Sequence, residues 1–405
     1  MYNYIRDHST MTPVIVIPAF SRQRSLARLL RSIKESNATN SSVKIIISLD
    51  GGYCPAVLEE AESFILKNPS LDVELVKRDK NIGLKNHILW CGDLVTDYGS
   101  VIILEDDLVV AKDFYEYAKS ALNFYENEGR VGGVSLYGQR YNEYSNLPFE
   151  PMPNGSDTYF MQVASSWGQA WSRKQWLDFK NWFIRVDSEY LQNIIELPSQ
   201  VSNWPETSWK KFYSAYLVEE RKYFVYPFVS RTSNCADTGG QHTKLGVNYL
   251  QVPLSLKYCH DEVVRFCNFS CRTIKYDAFM EAIMPKDFQF LGVDSSIIAI
   301  DLYGLKPKRY LDKYRYVITS KGSNSALVDI PLKFKPMENN IFFYNECNSF
   351  DDSDLSYIFT ETKFVKYNKR YQFVKYSKYF DFYSYFKISD KRVILSYVFK
   401  LLFSR

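Results

Sequence analysis

The sequence predicts an α/β protein: a mostly parallel sheet flanked by helices, with a smaller mixed C-terminal region. Three observations predict it. Short apolar runs alternate with segments whose apolar residues recur at helical spacing, four times within the first 125 residues. The strand-like runs place Ile and Val on consecutive positions, as strands covered on both faces do. Two of them end in acidic turns, where an open α/β sheet places its ligands. The 405 residues, 46% hydrophobic and 24% charged, suffice for two domains or one large domain with an appendage. The expected division is a first domain over 12–272 and a basic, aromatic region over 273–405.

Thr12-Pro-Val-Ile-Val-Ile-Pro18 reads as a buried strand bounded by prolines. The turn Ala19-Phe-Ser-Arg22 leads into a helix with Leu26, Leu29, Leu30 and Ile33 on one face. Arg22 and Arg24 in its first turn oppose the helix dipole, so a nearby bound anion is expected to compensate them. Residues 43–49 form a second strand, closed by Asp50-Gly-Gly52, a tight turn that lets a ligand approach. A helix with Val57, Leu58, Ala61, Phe64 and Ile65 inward follows, then an alternating strand over 72–77. The loop Arg78-Asp-Lys-Asn-Ile-Gly83 precedes a helix over 84–94.

Val101-Ile-Ile-Leu104 is the next buried strand, and it runs straight into Glu105, Asp106 and Asp107. Three adjacent carboxylates repel one another unless a cation and hydrogen-bond donors compensate them. Hard oxygen ligands suit Mn2+ or Mg2+. A helix with Phe114, Tyr117, Ala118, Ala121 and Leu122 inward comes next, then a short strand over 132–137. Residues 142–158 read as a polar, proline-bearing loop of the sort that lines a site. A strand is expected over 162–171, a helix over 173–182, helical structure over 183–222, and a strand over 223–229. Residues 230–246 form a polar, glycine-containing loop with His242.

The net charge of +4 demands no nucleic-acid partner, and no nucleic-acid-binding module is recognisable. The charge is unevenly placed. Residues 361–405 hold 11 Lys/Arg and 3 Asp/Glu, a net of +8, so the first 360 residues sum to 4 − 8 = −4. Within that tail, 387–405 reads as a helix with Val393, Ile394, Tyr397, Val398, Leu401 and Leu402 on one side. Such a helix fits peripheral contact with an anionic membrane, and equally a helix docked on the protein's own core. The seven cysteines are scattered; Cys259, Cys267 and Cys271 cluster near His260 without paired metal-site spacing. Free thiols in a reducing compartment are expected. With no signal pattern and no run of about 20 apolar residues, the expected location is the cytoplasm, at the inner face of the cell membrane.

The order strand, Arg22 turn, strand ending in Asp50, strand, Asn81-x-Gly83 loop, Leu104-Glu-Asp-Asp-Leu108 and Asp113-Phe-Tyr-Glu-Tyr117 resembles the GT-A fold (Rossmann-like) nucleotide-sugar glycosyltransferases. The nearest resemblance is to the N-acetylglucosaminyltransferase I type and its bacterial polysaccharide-synthesis relatives, over roughly 12–250. Trp167-Gly-x-x-Trp171, Trp204-Pro-Glu206, Pro227-x-x-Ser230-Arg231 and Gly240-Gln-His242 resemble later segments of that family.

The resemblance implies metal-dependent, inverting transfer of a sugar from a nucleotide-sugar, UDP-GlcNAc or another UDP-sugar, to a hydroxyl of a surface polysaccharide or lipid-linked oligosaccharide. It implies Asp107 as the direct ligand of Mn2+ (or Mg2+), with His242 as a second metal ligand or phosphate contact. Glu105, Asp106, Asp50 and Arg22 would bind the donor's sugar, ribose, base and phosphates, with Pro18, Asn81 and Lys85 also on the donor side. Trp167 and Trp171 would stack on acceptor sugars, or be core residues. The family's aspartate after a tryptophan is replaced here by Trp209-Lys210-Lys211, so Glu206, one helical turn earlier, and Asp237 stand as candidate bases. Two alternatives stay open: a non-catalytic glycan-binding or scaffold protein of this fold, and a sugar nucleotidyltransferase. The second lacks the expected glycine-rich loop after the first strand.

Overall fold

The structure is a computed structural model that describes residues 11–40, 42–237, 250–256, 263–270, 272–347 and 356–367. His242, His260 and the 387–405 segment lie outside the described residues. The chain forms two compact units. One comprises Met1–Tyr144 and Phe149–Ser295, the other Ser145–Pro148 and Ser296–Arg405.

In the first unit, β1 (Val14–Ala19), α1 (Gln23–Lys34), β2 (Lys44–Leu49), α2 (Pro55–Lys67), β3 (Asp72–Lys77), α3 (Gly83–Asp93), the one-turn α4 (Val95–Tyr98) and β4 (Ser100–Ile103) alternate. Next come β5 (Leu108–Val110), α5 (Phe114–Phe124), β6 (Val131–Ser135) and β7 (Tyr141–Asn142); β8 (Leu147–Pro148) belongs to the second unit. The first unit resumes with β9 (Thr158–Met161), β10 (Gln169–Ser172), α6 (Arg173–Phe183), α7 (Ser199–Ser202), α8 (Trp209–Glu219), β11 (Tyr223–Pro227) and β12 (Thr232–Asn234). It closes with β13 (Lys275–Tyr276), β14 (Ala282–Ile283), β15 (Gln289–Phe290) and β16 (Val293–Asp294).

A ten-stranded sheet runs β14-β13-β9-β11-β6-β10-β4-β1-β2-β3. Its β4-β1-β2-β3 half is parallel throughout. Successive side chains of a strand point to opposite faces, and the interior strands show it. Val14 and Val16 enter one core with Val101, Ile103, Trp171, Trp176 and Tyr213. Ile15 and Ile17 enter the other with Ile45, Ile47, Leu26, Leu29, Leu30 and Phe114. Both faces of these strands are buried, which explains the unbroken Ile/Val runs. At the edge, β3 alternates in exposure, and Lys44 of β2 reaches Glu74 at 3.0 Å.

Two expectations are corrected. The strand expected over 162–171 is confined to its end, β10, because residues 162–168 form a loop in which Gly168 takes φ +91° and turns the chain. The resulting β10 lies antiparallel between β4 and β6. The helical stretch expected over 183–222 holds one 3-10 turn (Tyr190–Asn193), α7 and α8. Pro198 and Pro205 interrupt it. The sheet also runs past residue 272, since β13 pairs with β9, so the first compact unit continues to Ser295.

The second unit carries a four-stranded sheet, β17 (Ile298–Asp301), β18 (Tyr316–Thr319), β20 (Ser356–Glu361) and β19 (Ala326–Pro331) in that spatial order. Fully buried Asp301 accepts hydrogen bonds from Lys321 Nζ (2.7 Å), Thr319 Oγ1 (3.0 Å) and the Lys306 N–H (2.9 Å). Among the described residues no helix is long and apolar enough to cross a membrane.

Candidate active site

The strand order places the site. β1 has β2 on one side and β4 on the other, so the connections that follow β1 and β4 diverge at the carboxyl edge of the sheet and open a crevice there. Arg22, at the N-cap of α1, follows β1 into this crevice. Glu105, Asp106 and Asp107 follow β4 into it. Arg22 Nη1 bonds Asp107 Oδ2 at 2.8 Å, and Nη2 makes a close ion pair with Asp106 Oδ1. The anion expected near the first turn of α1 is thus the chain's own carboxylate pair. Burial alone lowers the Arg22 pKa, but the two carboxylates outweigh it and raise the net value.

The acids are not fully compensated. Burial pushes Glu105 up to about 8, with Asp107 adding and Arg22 opposing. Burial likewise lifts Asp106 to about 6 against the pull of Arg22. Asp107 Oδ1 is buried and has no hydrogen-bond partner. A buried carboxylate oxygen left bare costs about 1–3 kcal/mol or more, so this atom fits a cation. Among the described residues no group of three His, Cys, Asp or Glu side chains could hold a metal on its own.

Asp237 lies beside these acids. Arg28 grips it bidentately (Nη1–Oδ1 2.9 Å, Nη2–Oδ2 2.5 Å), and Ser25 Oγ donates to it at 2.6 Å. The hydrogen bond from Arg28, with lesser help from Ser25, holds its pKa low. The Cys235 N–H donates to the Asp107 carbonyl at 3.0 Å, and β12 pairs with β5 directly after the acids.

On the other flank, the Asp50 carboxylate accepts from the N–H groups of Gly51 (2.9 Å), Ile82 (2.9 Å) and Gly83 (3.0 Å). It ties the second-strand loop to the start of α3. Gly51 is required there: a Cβ would lie 2.1 Å from the Lys80 carbonyl carbon. Asn81 is exposed and accepts from the Gly83 N–H at 2.9 Å. Pro18 is buried in β1 opposite Ser48 of β2. Ser48 bonds the buried His87 Nε2 at 2.8 Å, and burial drops this imidazole to about 4, leaving it neutral at pH 7. Lys85 Nζ sits 5.1 Å from the Phe212 ring centroid. Arg78, not singled out in the sequence, stacks 4.1 Å over Trp90 with its Nε and Nη2 buried and unpartnered. Its position directly after β3, at the carboxyl edge of the sheet, was the available signal.

The acceptor-side residues separate. Trp171 is fully buried against Trp176 (4.9 Å) and Tyr213 (5.4 Å), so it is a core residue. Trp167, just before the turn at Gly168, is also buried in a core, edge-on against Tyr137 at 4.8 Å. Lys210 Nζ lies 5.4 Å from the Trp167 ring and 5.5 Å from the Trp204 ring, and 3.6 Å from Glu143 Oε1. Lys211 is buried and bonds Ser188 Oγ and the Trp204 carbonyl. Glu206 is exposed in the turn before α8, not on its face, so the expected shared helical face with residue 209 is absent.

Residues 14–174 match the model of glycosyl transferase family 2. No curated protein matches the chain. Similar solved structures include the mannosyltransferase PcManGT from Pyrobaculum calidifontis in complex with GDP-Man and Mn2+. It is 13% identical, with 53% of this chain and 54% of that one covered at a TM-score of 0.34. GalNAc-T7 with UDP, GalNAc and Mn2+ is 13% identical over 56% of this chain and 44% of that one, TM-score 0.40. S. aureus TarS 1-349 in complex with UDP-GlcNAc is 13% identical over 53% and 58%, TM-score 0.33. This chain spans about half the length of these structures. The crevice at β1 and β4 lies within the matched segment, so residues 14–174 are similar to glycosyl transferase family 2, and the mostly parallel, helix-flanked sheet around them is GT-A-like.

Proposed function

We propose that the protein is a metal-dependent, inverting glycosyltransferase. It moves a sugar from a nucleotide-sugar, a UDP-sugar such as UDP-GlcNAc first among them, to a hydroxyl of a surface-polysaccharide or lipid-linked oligosaccharide acceptor. The observation that carries this reading is the acid triplet after β4 facing Arg22 after β1, with a bare, buried Asp107 Oδ1.

Asp107 would hold Mn2+, which when bound supplies Lewis-acid stabilisation of the departing diphosphate. Arg22, already poised between two carboxylates, adds a fixed positive charge on the same side. Asp106 and Glu105 orient the ribose and the donor sugar. Arg78 offers unpartnered donors near the Asp50 loop. Asp50 acts by fixing that loop rather than by spending its oxygens on the base, since three backbone amides occupy them. Asp237 serves as the partner of Arg28, and a carboxylate held this low by a guanidinium is a poor proton acceptor. That makes it the weaker of the candidate bases.

The test is nucleotide release from UDP-GlcNAc, UDP-GalNAc and GDP-mannose, with Mn2+ or with a chelator. Release from one nucleotide class that needs the metal supports the reading. No binding and no release of any nucleotide, with any divalent cation, would leave a glycan-binding scaffold.

A further inference from the structure

The carboxylates around the crevice can be sorted by what already occupies them. Asp50 caps three amides, Asp237 is gripped by Arg28 and Ser25, and Asp106 and Asp107 face Arg22. Asp113 Oδ2 lies 3.3 Å from Arg231 Nε and accepts from Ser255 Oγ at 3.2 Å. Glu206 is exposed outside α8. Glu143 differs from all of these. It follows β7, its side chain is 31% exposed, and its contact is a loose one, 3.6 Å, with the Lys210 ammonium. That ammonium stands over Trp167 and Trp204 and also draws the Glu105 pKa down. Lys210 therefore lies in contact with Glu143 and within electrostatic reach of Glu105.

We propose that Glu143 is the general base of sugar transfer and that Lys210 positions it; the proposal rests on the transferase reading above. The arrangement answers the departure noted at Trp209-Lys210-Lys211. A lysine in this place cannot accept a proton while charged, but it can hold a carboxylate that does. In the transfer step a lone pair of the acceptor oxygen forms a bond to the anomeric carbon. The bond from that carbon to the diphosphate oxygen breaks, and its electron pair leaves with the nucleoside diphosphate. The acceptor's proton moves to a Glu143 oxygen. Trp204, half-buried and 5.5 Å from the Lys210 ammonium, supplies a flat apolar face for the acceptor ring.

Azide tests this directly, because it attacks as an anion and has no proton to lose. The substrate is whichever of UDP-GlcNAc, UDP-GalNAc or GDP-mannose the wild-type protein turns over with Mn2+, with water as acceptor. Nucleotide affinity is read separately by calorimetry. Glu143→Ala and Glu143→Gln are expected to slow nucleotide release about 100-fold or more while nucleotide affinity stays within about twofold. Sodium azide is expected to restore release in Glu143→Ala and to yield the glycosyl azide of inverted configuration. Lys210→Met is expected to be slowed less, and also rescued by azide. Near-wild-type release by Glu143→Gln would overturn the proposal, as would a slowed Glu143→Ala that azide does not rescue. Wild-type turnover by Lys210→Met would remove Lys210 from it. Wild-type protein that binds no nucleotide is a different result and overturns the transferase reading itself.

Discussion

Arg22 carries the electrostatics of the crevice. It partly offsets two adjacent carboxylates that would otherwise repel each other more strongly. Removing one partner of a buried pair costs about 3–5 kcal/mol, and partial exposure trims that. Arg22→Met is therefore expected to lose up to about 3 kcal/mol in chemical denaturation, and Mn2+ is expected to restore more of it than it adds to wild type. Equal Mn2+ effects in the two proteins would contradict this. A second prediction concerns pH. Glu105 titrates near 8 in the folded protein against an ordinary 4.5, so the folded state holds its proton more tightly than the unfolded state. Its contribution to stability is fully present below about 4.5 and is lost as pH rises through 8. Glu105→Gln should flatten the stability profile across that window relative to wild type, read by denaturation at fixed pH steps without metal. The same proton competes with a cation for the acids, so Mn2+ affinity should rise with pH over the same range.

Among elements, the helix α6 is the clearest case of local chemistry. Ser172 Oγ accepts from the Gln175 N–H and Gln175 Oε1 accepts from the Ser172 N–H, a capping box. Ser172→Ala should cost about 1 kcal/mol. Trp171→Ala, in β10, should cost about 3–5 kcal/mol as a core truncation, and nucleotide affinity measured on the folded fraction should not change. Loss of affinity would return Trp171 to the site. What was legible in the sequence follows the same local logic. The strands β1, β2 and β4 and the helices α1 and α5 carry their own apolar period, so their residues announced them. The segment 183–222 is rich in Trp and Phe, and its apolar content resembles a helix. Pro198 and Pro205 decide otherwise. The antiparallel placement of β10 depends on Gly168 and on which neighbours it meets, and no local pattern encodes that.

At the scale of the molecule, the parallel half of the sheet brings the carboxyl ends of β1, β2 and β4 together, and the crevice follows from the strand order. The acids and Arg22 were legible because each sits directly after a strand. The pairing of Glu143 with Lys210 was not, because the two are far apart in sequence and meet only through the loop after β7 and the start of α8. Nor were the amide contacts that occupy Asp50, which arise when two loops close on one another. Nucleotide with Mn2+ at 100 times its Kd should stabilise the folded protein by about 2.7 kcal/mol. Hydrogen exchange should slow at residues 20–26 and 104–110 in the first unit.

The most direct test of the central claim is a calorimetric titration of UDP and GDP into wild type and Asp107→Ala, with and without Mn2+. The account predicts binding of one nucleoside diphosphate to wild type that needs Mn2+, and loss of that binding in Asp107→Ala, with the variant still folded. Binding that ignores both Mn2+ and Asp107, or no binding of either nucleotide, would contradict it.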